Sequence, residues 1–181
     1  KATVGYAFVD DSSVVGAVPT TAPGTILHEL FHLLVRKAFG DIPQWLDEGT
    51  ASLYEVAGRQ GDRYSGLPNW RGRVLRNLWS DRPTVAGLIQ TEWFLFDDPA
   101  QAKQINDPDA PLEMYFDVKE GRRQAAMMAM ARYFLLYLER RGELVPVYRA
   151  IRDQKFGDTK NNARERAVTL VEQALGRSAD E

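Results

Sequence analysis

His28 and His32 are the only histidines in this chain of 181 residues, and they stand four positions apart in the run His28-Glu29-Leu30-Phe31-His32. On a helix, residues four apart share one face, so both imidazoles can reach the same metal ion. Glu29 then stands beside the open coordination position, where a carboxylate could take a proton from water. A hydrolytic zinc site needs three protein ligands and a free position. With no third imidazole and no cysteine in the chain, the third ligand must be a carboxylate.

The segment that supplies it is Ile42-Pro43-Gln44-Trp45-Leu46-Asp47-Glu48-Gly49-Thr50-Ala51. A proline turn is followed by an acidic pair and a second amphipathic stretch, and Glu48 is the candidate ligand. Sixteen residues separate it from His32, enough for one helix to end and a second to fold back against it. Asp47 is the competitor, although one residue along a helix turns a side chain away by about 100°. Glu55 lies two turns beyond Glu48 on the same face, with Ser52 between them. Either could bond the outer nitrogen of a ligand histidine and fix its tautomer; the alternative for Glu55 is a helix end in solvent. Gly49 and Ala51 are small where two helices must approach around an ion.

Positioning these groups requires a helix over residues 25–39, apolar on nearly every side and hence buried, with Thr25 as N-cap and Gly40 as stop. Two strand-like runs precede it, 5–9 and 13–18, separated by Asp10-Asp11-Ser12. The second could serve as an edge to which an extended peptide adds, or it could simply cover the core. Residues 58–66 are polar and turn-rich and should end the compact zinc-binding part. A short helix is expected near 83–89, with proline at its start. The aromatic cluster Thr91-Glu92-Trp93-Phe94-Leu95-Phe96 reads as core packing or a cleft wall. Three helices follow, over 122–141, 144–152 and 162–175, the first and last stopped by Gly142 and Gly176.

His28 to His32 followed by Trp45-Leu46-Asp47-Glu48-Gly49-Thr50-Ala51 resembles the gluzincin metallopeptidases, and within them the thermolysin-like and peptidase MA-like bacterial domains, with H-E-x-x-H and then W-L-x-E-G-x-A. The resemblance covers residues 14–55 well and the remainder loosely. It implies an α+β, thermolysin-like zincin domain with a small N-terminal sheet edge, an active-site helix and a mainly helical lower lobe. It also implies a zinc ion held by His28, His32 and Glu48, with Glu29 activating water. The run Tyr137-Leu138-Glu139-Arg140-Arg141-Gly142 resembles the Y-L-x-x-x-x-G segment of the peptidase MA-like domains, placing that helix in the lobe that closes the cleft. In those domains a tyrosine often precedes the segment by nine residues; here the position holds Met128. An oxyanion donor must then come from elsewhere. Tyr133 is the named candidate, with Tyr115, Tyr148, Arg122 and Arg123 as alternatives.

A hydrophobic content of 44% over this length permits one domain, 1–181, divided into 1–57 with the strand segments and zinc-ligand helices, 58–118 irregular with short helices, and 119–181 as a helical lobe. Arg71, Arg73 and Arg76 form a basic run among tryptophans. Yet 23 basic against 25 acidic residues leave no basic field for nucleic acid. The absence of cysteine excludes disulfides and thiol catalysis. No membrane span is expected, and Lys1 rather than Met in first place suggests a trimmed segment, from which any targeting signal would be gone. The resemblance favours a secreted or cell-envelope setting in a bacterium. Two functional classes stand: a zinc peptidase acting on peptide or protein, and a zinc-retaining domain that binds peptide or serves as a scaffold with little turnover.

Overall fold

The computed structural model describes residues 5–8, 12–16, 23–40, 42–91, 118–153 and 160–180. The elements in order are β1 (Gly5–Phe8), β2 (Ser13–Gly16), α1 (Pro23–Phe39), α2 (Gln44–Tyr54), β3 (Ala57–Gln60), β4 (Arg63–Gly66), α3 (Arg71–Asn77), a 3-10 turn (Trp79–Asp81), α4 (Val85–Gln90), α5 (Val118–Arg141), α6 (Leu144–Asp153) and α7 (Lys160–Leu175). The class is α+β, helices dominating. Each pair of strands forms its own antiparallel two-stranded sheet, β1 with β2 and β3 with β4.

Helix α1 begins at Pro23, so Thr25 lies inside its first turn and does not cap it. Proline suits that place because its missing N–H would be unpaired there anyway. The helix ends where Gly40 takes a φ of 78°, a left-handed conformation that costs glycine nothing. Pro43 then starts α2, its carbonyl accepting from the N–H of Leu46 and Asp47. The two helices pack together, and α2 packs in turn on α5.

The expectation that α1 is buried all round is corrected. Leu33 and Val35 are buried, but Ile26, Leu27, Leu30 and Leu34 are each at least 40% exposed among the described residues. These four fall within one stripe about 100° wide, so the excess of apolar residues belongs to a surface rather than to the core. The polar run after residue 57 is also more ordered than its composition suggests. It forms the hairpin β3–β4, with Gly61 at a φ of 61° in its turn.

The main core lies between α2, α4, α5, α6 and α7, around Trp45, Leu46, Leu88, Leu135, Leu138, Val147, Ile151 and Val171. Two approaches set its spacing. A Cβ at Gly49 would collide with the side chain of Leu135, so the bare glycine gives Leu135 of α5 its place against α2. A Cβ at Gly24 would stand 2.7 Å from the carbonyl oxygen of Glu55, which fixes the start of α1 against the end of α2. The helices expected near 83–89 and over the C-terminal third are present, α4 capped by the Thr84 hydroxyl accepting from the N–H of Gly87. The aromatic cluster at 91–96 lies outside the described residues beyond Thr91. No described helix is long and apolar enough to cross a membrane.

A candidate metal centre between the first two helices

One turn of α1 presents His28 and His32 to the face of α2 that carries Glu48. The rings meet edge to face, with centroids 4.8 Å apart. The Nε2 of His28 is 3.4 Å from Oε2 of Glu48, and the Nε2 of His32 is 3.7 Å from Oε1. One ligand atom from each residue lies within 4.8 Å of the other two. Both histidines are buried, and Glu48 is nearly so.

The fit to a metal ion rests on what this cluster lacks. Oε2 of Glu48, the oxygen facing Nε2 of His28, is enclosed without a hydrogen-bond partner, a costly state for a buried polar atom. Two imidazoles and a carboxylate whose lone pairs converge form a donor set suited to a divalent cation, and three donors are the number a hydrolytic centre uses.

Asp47 is not part of the converging group; it holds one of its members. Its Oδ1 accepts from Nδ1 of His32 at 2.8 Å, and its Oδ2 accepts from Nε and Nη2 of Arg36, both at 2.9 Å. The bond through Nδ1 leaves the lone pair of His32 on Nε2, facing Glu48. Burial works against a charged His32, yet the bond from Asp47, with the charges of Asp47, Glu48 and Glu29, outweighs it and raises the His32 pKa above its ordinary value. Neither residue expected to bond an outer nitrogen does so. Ser52 donates to the main-chain oxygens of Glu48 at 2.6 Å and Gly49 at 3.2 Å. Glu55 is neither a histidine partner nor a solvated helix end: its Oε2 accepts from Nε and Nη2 of Arg71, the latter at 3.0 Å.

Glu29 follows His28 in sequence, is half-buried, and interacts electrostatically with His28, His32 and Glu48. Burial raises its pKa, partly offset by the two histidines. A carboxylate shifted upward in this way accepts a proton more readily near neutrality.

The structure does not bring Tyr133 to this cluster. Its hydroxyl donates to the main-chain oxygen of Asn69 at 3.2 Å and accepts from the N–H of Asn69 at 3.3 Å, in the room left by Gly72. The rotation of α5 aims it at α3, whereas Ala131 and Leu135 face α2. Tyr148 sets its ring edge to face on Phe39, and Arg123 is exposed. Tyr115 and the side chain of Arg122 lie outside the described residues. Met128 is half-buried against the core.

Arg36 is the site residue that sequence reasoning missed. Its position four after His32, on the same helical face, was the available signal. Comparison with family models, curated proteins and solved structures finds no match to the chain.

Proposed function

We propose that the chain is a zinc-dependent peptide hydrolase of gluzincin type. The observation that carries this reading is the convergence of His28, His32 and Glu48 with Glu29 held beside them, unliganded and shifted toward a basic role. A purely structural metal site has no use for that additional carboxylate. Zinc held by His28, His32 and Glu48 would supply Lewis acidity toward a substrate carbonyl and toward water. Glu29 then accepts a proton from the attacking water and returns it to the leaving amine nitrogen. Asp47 and Arg36 keep His32 in the tautomer that offers Nε2.

A second reading has its own observation: the Tyr133 hydroxyl is engaged by Asn69, which removes the named oxyanion donor. A domain that retains zinc and binds peptide with little turnover fits that fact. One experiment separates the two. Zinc-reconstituted protein is presented with a peptide library, and Glu29→Gln is measured beside it for turnover and zinc content. Peptidase chemistry requires cleavage by the parent chain and a loss of about 100-fold to 10,000-fold in the variant, with one zinc per chain retained. Zinc retention without cleavage by the parent supports the binding domain, and cleavage that survives Glu29→Gln removes the proposed mechanism.

A further inference from the structure

A cavity of about 320 Å³ opens on a different stripe of α5 from the one that meets Gly49. None of its lining residues belongs to the metal centre. Its walls are Leu75, Val85, Met130, Phe134 and Leu175, and Trp79, 58% exposed, stands at its mouth. Such a wall accepts a flat or branched hydrocarbon body.

The charges at its edge are not equivalent. Arg177 is committed: Nη1 and Nη2 donate to Glu143 at 3.2 and 2.8 Å, and Nη2 also reaches the Tyr137 hydroxyl at 3.3 Å. Asp180 is committed as well, its Oδ1 accepting from the N–H of Val85 at 2.5 Å and of Ala86 at 3.3 Å. Arg82 differs. Its guanidinium lies 3.8 Å over the Trp79 ring, and among the described residues its one hydrogen-bond acceptor is the Pro83 oxygen at 3.5 Å. A planar cation that lines the cavity, is oriented by stacking and forms no ion pair among the described residues is complementary to a carboxylate. We propose that this cavity is a binding site for a small aromatic monocarboxylate, the ring lying against Phe134 and Met130 and the carboxylate on Arg82. The site is independent of the metal centre.

The test is calorimetric titration with 3-phenylpropionate, using 3-phenylpropan-1-ol as the uncharged counterpart, on zinc-loaded protein and on protein treated with a chelator. The chelated arm is needed because a carboxylate could instead ligate zinc. The expected result is one saturable site in both arms, with a dissociation constant on the order of 0.1–1 mM. Arg82→Gln should weaken it about 10-fold or more, and the alcohol should bind correspondingly less well. Val85→Phe should reduce binding by occupying the wall, with the melting temperature showing that the variant is folded. The proposal is overturned by absence of saturable binding, by equal binding of the alcohol, by an unchanged constant in Arg82→Gln, or by binding that requires zinc.

Discussion

Two buried polar centres flank α2, and they resolve their charges in opposite ways. Under the β3–β4 hairpin, the Glu139 carboxylate is shared by several local partners, whereas Nε and Nη1 of the neighbouring Arg132 are enclosed without one. Glu139 accepts from the Tyr54 hydroxyl at 3.2 Å, the Ser65 hydroxyl at 2.8 Å and the Gly66 N–H at 2.9 Å. Close by, the fully buried Arg132 donates through Nη2 to the main-chain oxygens of Leu67 and Val56. Burial lowers the Arg132 pKa and, with Glu139 alongside, raises that of Tyr54 to about 12. These bonds tie hairpin to helix. Toward the other end of α2, lone pairs from three residues converge, their ligand atoms all within 4.8 Å of one another. The first centre uses Glu139 and Nη2 of Arg132 to hold elements together; the second has acceptors directed at a common point. That contrast, more than burial, distinguishes a structural clamp from a group that could hold a metal ion.

The contrast can be broken most forcefully at Glu48. Glu48→Gln should weaken zinc binding by more than about 100-fold, beyond the range for an outer hydrogen-bond partner, while the melting temperature of the metal-free protein changes little. Retention of stoichiometric zinc, measured by elemental analysis, would return the acceptors of this centre to an ordinary structural role. At the clamp the reverse pattern is expected. Glu139→Ala removes the acceptor of three donors and should cost about 3 kcal/mol of folding free energy, read by denaturant unfolding, without altering zinc stoichiometry. A loss of zinc in that variant would show that the two centres are one.

Asp47 sharpens the comparison because it uses the clamp's logic in the service of the other centre. Asp47→Ala should reduce zinc affinity by about 10-fold to 100-fold, the usual effect of freeing a ligand imidazole, and competition with a chromophoric chelator would measure it. An affinity equal to that of the parent would mean that packing alone orients His32. The smallest effect concerns pH in the metal-free state. The His32 pKa is raised on folding, so its contribution to stability is fully present below about 6.5 and is lost as pH rises through the raised value. Zinc-loaded protein should show the opposite trend, because protons compete with the metal for the same nitrogens. Melting temperatures of both forms between about pH 5.5 and 8.5 test the crossing; parallel curves would detach His32 from the metal.

The nearness of His28, His32 and Glu48 was legible because helical geometry makes a spacing of four a statement about one face, and because the chain offers no other imidazole or thiol. The role of Asp47 was not. Its angle from Glu48 was readable, but whether that angle turned it away from the centre or toward the outer nitrogen of His32 depends on how α1 lies across α2. Ser52 and Glu55 were misplaced for the same reason: sharing a face with Glu48 says nothing of which partner on another element stands nearest. The surface stripe of Ile26, Leu27, Leu30 and Leu34 shows a different limit. Apolar residues at every angle suggest burial, but composition cannot name the neighbour that would provide it. The hairpin β3–β4 escaped notice because its strands are polar, held by the charge of Glu139 rather than by alternating hydrophobic residues.

Gly49 has a consequence for how sequence change can reach this protein. It follows the carboxylate that faces the histidines, and the space its side chain would fill is occupied by Leu135. An alanine there requires either the Leu135 side chain or the α2 backbone to give way, and Glu48 travels with the backbone it is attached to. A lineage in which the backbone moved could lose the convergence of His28, His32 and Glu48 while all three side chains remained. Conversely, Leu135→Ala should make Gly49→Ala tolerable, so the two positions are free to drift only as a pair.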